Sequence, residues 1–320
     1  MAGAGALPSR SGTAGLTPAP GFGDALADRV ATRQSQVVLG LDPDPGSLWP
    51  GPSSEAIGAT PSERAAAGVR AHCIALIDAG GPACVAVKLQ LACFERLGPA
   101  GWQACFDVAE HARGAGLLVI ADGKRGDVSV TSAAYGQALF GGTPTPFGRV
   151  AGLGADVATV NPLMGADSLA PLVSAARAQG AAVLALVRTS NAGASDVQEL
   201  ELAAGGTVSE RLARLVEELG APGVGALGLS DVGAVVGATA PERLERLREL
   251  MPHAVWLLPG VGAQGGRVED LAAAFAPGRA AGLVSASRSI VGAYLASGGD
   301  PAHAARTEAE RLRAVAWSLS

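Results

Sequence analysis

Eight short apolar runs of four to six residues recur along the chain, separated by longer segments of helical period. They are Val37–Leu41, Cys84–Val87, Leu117–Ala121, Asp156–Val160, Ala182–Val187, Val232–Val236, Val255–Leu258 and Gly282–Ala286. Rich in valine and leucine and lacking polar alternation, these runs suit strands covered on both faces. Between them Ser62–Ala79, Gly101–Gly114, Thr131–Phe140, Ser168–Gln179, Val208–Leu219, Pro241–Leu250 and Val268–Phe275 read as helices. Strands alternating with helices imply parallel βαβ units, and eight such strands imply an α/β fold closed as a (β/α)8 TIM barrel. An open doubly wound sheet is the alternative, but the first strand–helix junction, Gly40-Leu41-Asp42-Pro43-Asp44-Pro45, lacks the glycine fingerprint of dinucleotide-binding sheets.

Such a barrel takes about 250 residues, which leaves a surplus in a chain of 320. Residues 1–20, built of Ala, Gly, Pro and Ser, are expected to form a disordered tail, with residues 21–320 as the barrel domain. The tail lacks the apolar segment of a signal peptide, and no stretch reaches the ~18 to 20 apolar residues of a membrane helix. A net charge of −5 with no Lys/Arg block gives no reason to expect nucleic acid or a membrane surface as partner. Cys73, Cys84, Cys93 and Cys105 form no CxxC pair and have no histidine at ligand spacing. They read as free thiols of a cytoplasmic protein, with no metal expected.

Polar residues track the strand ends. Asp42, Lys88, the pair Asp122 and Lys124, Asn161, Arg188, Thr239, Gln264 and Arg288 follow the eight runs in order. In a (β/α)8 barrel those positions build the active site. Two longer segments, Gly141–Arg149 and Thr189–Thr207, read as loops.

Two groups of these residues carry chemistry. Asp122-Gly123-Lys124-Arg125-Gly126-Asp127 places acid, base and acid within six positions. Side chains two apart on a strand share a face, so Asp122 and Lys124 are expected side by side, with Asp127 beyond the strand. With Asp42 and Lys88 they make three acids and two bases in one mouth, which fits an acid–base centre or a structural ion-pair network. At the far side, Pro259-Gly260-Val261-Gly262-Ala263-Gln264-Gly265-Gly266 is a loop whose backbone N–H groups can approach an anion. Arg288, after the eighth run, adds a forked charge, and a helix starting near Ser289 adds its positive end. Barrels commonly bind phosphate after strands seven and eight; ordinary glycine turns are the alternative.

Taken together, Asp-Gly-Lys-Arg-Gly-Asp at 122–127, Leu-Asp-Pro at 41–43, Val-Lys at 87–88, the glycine loop at 259–266 and Ser-Arg-Ser at 287–289 resemble the orotidine 5′-phosphate decarboxylase family. Val160-Asn161-Pro162, Arg188-Thr189-Ser190-Asn191 and Val236-Gly237-Ala238-Thr239 resemble its longer bacterial subgroup. The resemblance, covering residues 22 to 300, implies a homodimeric barrel that converts orotidine 5′-monophosphate to UMP and CO₂ with no metal or organic cofactor. It implies that Lys124 protonates C6 of the pyrimidine, that Asp122 faces the substrate carboxylate, and that Lys88 and Asp42 hold the ribose and the charged network. Asp127 and Thr131 would act across the dimer interface in the partner's site. Gln264, Gly265 and Arg288 would bind phosphate under a closing loop at 261–268, and Asn161 would take the place of a serine that recognises the base. The same resemblance gives Arg188 and Asn191 no role; bracing of the long loop is the alternative for Arg188.

A Mg²⁺-dependent sugar-phosphate decarboxylase or synthase of the same superfamily is the nearest rival. Such relatives carry an acid near the end of the second strand, where this chain has Lys88. The third possibility is a catalytically silent nucleotide-phosphate-binding barrel, which would have no need of a proton donor beside an acid pair.

Overall fold

The computed structural model describes residues 21–51, 57–262 and 264–320; the expected tail at 1–20 lies outside them. Eight parallel strands close on themselves: β1 (Val37–Leu41), β2 (Ala86–Gln90), β3 (Leu118–Arg125), β6 (Val157–Val160), β7 (Ala182–Arg188), β8 (Val232–Val236), β9 (Trp256–Leu258) and β10 (Gly282–Ala286). The circuit runs β1-β10-β9-β8-β7-β6-β3-β2, so each strand pairs with its neighbours in the chain and β1 closes on β10. A two-stranded antiparallel hairpin, β4 (Gly142–Thr145) with β5 (Gly148–Ala151), stands apart from the barrel.

Around the barrel lie α2 (Pro61–Gly80), α4 (Gly98–Gly114), α5 (Ser129–Leu139), α6 (Ala166–Arg177), α7 (Val208–Gly220), α8 (Leu244–Leu250) and α11 (Pro301–Ser318). Shorter helices are α3 (Leu91–Glu95), α9 (Arg288–Val291) and α10 (Ala293–Ser297), and α1 (Phe22–Arg33) precedes the first strand. The longest helix, α2, starts on a capping box in which Thr60 accepts from the Glu63 amide and Glu63 accepts from the Thr60 amide. Pro61 at its first turn gives up an N–H that has no partner in any helix.

Strand parity divides the core in two. Val37, Leu39, Leu41, Val87 and Leu89 pack outward against helix residues such as Val69, Leu76 and Val108. Val38, Ala86, Ile120, Val157, Leu184, Val235, Leu257 and Leu283 turn inward and share a second cluster with Phe22, Leu26 and Val30 of α1. Helix α1 therefore stoppers the N-terminal end of the barrel and leaves the C-terminal end open. Two steps further along the inward parity are Gly40, Lys88, Asp122, Thr159, Leu186 and Ser285, where apolar filling gives way to polar groups.

Four expectations are corrected. Gly141–Arg149 is mostly the β4–β5 hairpin rather than a loop, with the turn made by Pro146 and Phe147 and the return strand opening on Gly148, whose φ is +115°. Val268–Phe275 forms two 3₁₀ turns, because Leu271 between them takes φ −100° and ψ 12° and breaks the helical path. The second strand begins at Ala86 and runs to Gln90, so Lys88 lies within it rather than after it. The third continues through Arg125, which puts Asp122 and Lys124 inside the strand as well.

Candidate active site

At the open end of the barrel lies a cavity of about 500 Å³. Asp42, Lys88, Asp122 and Lys124 line one part of it, and Gly260, Gln264 and Arg288 line another. Leu186, Val235 and Leu257 form its apolar floor, the same inward parity that fills the barrel below. Two clusters far apart in sequence thus face one space.

The charged cluster is a chain of alternating sign. The Lys88 ammonium lies 3.2 Å from Asp42 Oδ1 and 3.0 Å from Asp122 Oδ2, and Lys124 Nζ lies 2.6 Å from Asp122 Oδ1. Gln90 donates to Asp122 Oδ2 at 3.3 Å, and the Thr159 hydroxyl donates to Oδ1 at 2.8 Å. Asp122 therefore meets four donors, two on each oxygen, which fills the acceptor capacity of a carboxylate. Burial alone would raise its pKa, but the two lysines and these hydrogen bonds outweigh burial and bring it to about 2. Burial would likewise lower Lys88; Asp42 and Asp122 reverse that and hold it above its ordinary value. Asp122 and Lys88 are thus both charged across the neutral range.

Lys124 owes its position to the backbone. It is one of two non-glycine residues with positive φ among those described, at +49°, and it sits where the β3–β6 pairing skips. Ala121 pairs with Ala158 and Arg125 with Val160, so three residues of β3 face the single residue Thr159. This bulge turns the Lys124 side chain back beside Asp122, and the pair meets as the sequence spacing implied but by a kinked path. Arg125 points away, held by an ion pair with Glu95 and stacked 5.6 Å over the Tyr135 ring.

The glycine loop after β9 differs from the backbone cradle expected of it. The amides of Gly262, Gly265 and Gly266 bond to the carbonyls of Gly266, Gly262 and Gly260 within the loop itself. Positive φ at Gly260, Gly262 and Gly265 permits this folding. The loop lines the cavity with Gly260, Val261 and Gln264, and the exposed Arg288 lines it too. The expected helix after β10 is only the four residues of α9.

Asp127, Thr131, Asn161 and Gly265 do not line the cavity. Asp127 Oδ1 accepts from the Val128 amide at 2.7 Å, and Asn161 Oδ1 caps its own turn by accepting from the Leu163 amide at 3.0 Å. Arg188 does brace the long loop: it donates to the Thr189 carbonyl at 2.7 Å and pairs with Glu199 at 3.2 Å, and Glu199 also holds Arg243 at 2.7 Å. Asn191 lines the cavity beside Thr189, Ser190 and Gln198. Sequence reasoning did not single out Gln90, Thr159, Ser190 or Gln198. Inward parity from Ala86 and Val157 would have found the first two.

The chain is similar over most of its length to known proteins. A family model described as orotidine 5′-phosphate decarboxylase / HUMPS family matches residues 35–307. The orotidine 5′-phosphate decarboxylase of Deinococcus radiodurans is 40% identical over 272 residues, covering 85% of this chain and 89% of that protein. The protein of the same name from Rhodopirellula baltica is 40% identical over 276 residues, with coverage of 85% and 89%. Among solved structures, Leishmania donovani OMP decarboxylase aligns with a TM-score of 0.66 at 29% identity, over 92% of this chain and 99% of that one. A Streptomyces avermitilis chain ascribed to the same activity aligns with a TM-score of 0.75 at 30% identity, over 97% and 99%. With a matching model over most of its length and relatives at this identity covered nearly end to end, the chain belongs to the orotidine 5′-phosphate decarboxylase family.

Proposed function

We propose that the cavity performs the family's reaction, orotidine 5′-monophosphate to UMP and CO₂, with Lys124 and Asp122 at the reacting carbon. The observation that supports this most directly is the alternation Asp42–Lys88–Asp122–Lys124, at 3.2, 3.0 and 2.6 Å, in the same cavity as Gln264 and Arg288. Breaking the bond from C6 to the carboxylate leaves an electron pair on a carbon with no carbonyl sink. Stabilisation on the order of 20 kcal/mol is needed. An ammonium held beside that carbon stabilises the developing charge and then gives it a proton, and the neutral amine regains one from solvent.

Asp122 plays two parts in this reading. A fixed carboxylate about 4 Å from the substrate's own would repel it by roughly 4 kcal/mol at an effective dielectric near 20. The repulsion disappears as neutral CO₂ leaves. Lys88 and Lys124 both touch Asp122, so part of that field is already neutralised, and stabilisation of the carbanion by Lys124 carries correspondingly more. Asp122 also keeps Lys124 in place. Gln264 and Arg288 grip the phosphate, remote from the breaking bond, and their binding energy closes the 261–268 loop and orients the ring. Thr189, Ser190, Asn191 and Gln198 take over base recognition from Asn161, since they line the cavity and it does not.

The chain acts as a homodimer in which Asp127 and Thr131 complete the partner's site. Supporting this, Val128 and Val130 at the start of α5 and Leu163 and Met164 of the loop after β6 are exposed near Asp127, on segments that approach where Gly126 meets Asn161. Such an apolar rim suits a subunit interface. The Mg²⁺-dependent reading is disfavoured because the Lys88 ammonium sits between Asp42 and Asp122, the carboxylates a metal would need. Protein treated with EDTA is expected to form UMP from orotidine 5′-monophosphate at the untreated rate; strict dependence on added Mg²⁺ would overturn the assignment.

A further inference from the structure

Thr159 is buried, 1% exposed, and lies opposite the β3 bulge at the bottom of the charged cluster. Its hydroxyl makes two bonds at once. It accepts from the Lys124 backbone N–H at 3.0 Å and donates to Asp122 Oδ1 at 2.8 Å. One donor hydrogen and two lone pairs allow this pair of bonds. We propose that Thr159 is a positioning residue for decarboxylation, one hydroxyl fixing both the backbone of Lys124 and the carboxylate to which the Lys124 ammonium is bonded. The inference rests on the reading that Lys124 and Asp122 act at the reacting carbon.

The physical need is specific. A lysine at φ +49° occupies the left-handed region that side chains disfavour, and the skipped pairing deprives its N–H of a ladder partner on β6. The strand opposite supplies a side-chain oxygen instead of a carbonyl, so the N–H is satisfied while the strand stays kinked. The same oxygen's hydrogen holds Asp122 Oδ1, the atom that meets Lys124 Nζ at 2.6 Å. Backbone, carboxylate and ammonium of the two reacting residues are thereby closed into one loop of bonds. Valine has the shape of threonine and none of this capacity, whereas serine keeps it.

Displacing a reacting group by about 1 Å costs about 10²-fold in rate. Thr159→Val is therefore expected to lower kcat by about 10- to 100-fold with KM changed much less, because the phosphate contacts are untouched. Thr159→Ser should recover most of the loss. UMP affinity by calorimetry and thermal melting are measured on each variant, so that unfolding is separated from misplacement. If the valine variant melts too low to assay, Thr159→Ala and Thr159→Ser are compared below the lower melting temperature, and the same kcat contrast is required of them. A folded valine or alanine variant turning over within twofold of the parent overturns the proposal, as does a serine variant as slow as valine. Lys124→Ala is run alongside: retained turnover there sinks the underlying catalytic reading, whereas its loss together with an active Thr159→Val protein sinks the Thr159 role alone.

Discussion

Asp122→Asn should leave a signature in the acid stability of the protein. The carboxyl of Asp122 falls from 3.8 to about 2 on folding, since the lysines and hydrogen bonds outweigh its burial. At about 1.4 kcal/mol for each tenfold change in proton affinity, ionised Asp122 contributes about 2 kcal/mol at neutral pH. The folded value is the depressed one, so the contribution is complete above the unfolded pKa near 3.8 and is lost as pH falls through about 2. Roughly half is gone by pH 3.

The assay is equilibrium denaturation by urea at intervals from pH 6 down to pH 3, on parent and variant in parallel. Asparagine cannot titrate, and its amide N–H₂ would face Lys88, Lys124, Gln90 or Thr159, all of which donate to this carboxylate. A gap of at least about 2 kcal/mol is expected near pH 6. It should narrow by about 1 kcal/mol by pH 3 as the parent loses its advantage. Carboxylates remote from this cluster keep the same surroundings in both proteins and cancel in the difference. Parallel curves over this range would refute the argument that Asp122 is held ionised by its neighbours. Turnover should fall in the same variant, because Lys124 loses the partner that aims it.

Arg288→Ala should raise KM for orotidine 5′-monophosphate by about 10- to 100-fold, as expected for a charge-assisted hydrogen bond to phosphate worth about 1.5 to 3 kcal/mol; an unchanged KM would remove Arg288 from the phosphate site. Gln264→Ala should act in the same direction but less, because it removes a neutral donor. For the subunit arrangement, Asp127→Ala and Lys124→Ala proteins, each inactive alone, should regain measurable activity on mixing, through hybrid sites that carry both intact residues. No recovery despite demonstrated subunit exchange would show that Asp127 serves its own barrel.

What the sequence made legible follows from how each signal arises. β1, β6, β8, β9 and β10 are buried along their whole length, so their runs are almost wholly apolar and stand out against amphipathic helices. The β4–β5 hairpin has no such signal: Gly148, Arg149, Val150 and Ala151 are all exposed, and Pro144 interrupts any alternation. Charged residues at strand ends located the cavity, since a lysine or aspartate there is rare unless something pairs it. The glycine loop was legible as a loop but not in its bonding, because whether an amide faces a ligand or its own carbonyls depends on φ at Gly260, Gly262 and Gly265.

The hardest part to read was the path of the chain at Lys124. Simple parity puts Asp122 and Lys124 on one face, and they do meet, yet regular pairing with β6 does not survive between Ala121 and Arg125. A straight strand would carry Lys124 two residues further up the barrel wall, roughly 7 Å beyond Asp122. The bulge shortens that rise, and Gly123 permits it where a side chain would strike Leu91 Cδ1 at 2.8 Å. The Asp-Gly-Lys spacing therefore encodes more than two charged residues: the glycine gives the bend its space, and Thr159, on another strand, takes the hydrogen bond that the bend leaves open. Changes at Gly123 and Thr159 should accordingly be coupled. In a double-mutant cycle of Gly123→Ala with Thr159→Val, the kcat losses should fall well short of multiplying, because either change alone already releases Lys124. Independent, fully multiplicative losses would mean that the bend and the hydroxyl serve Lys124 separately.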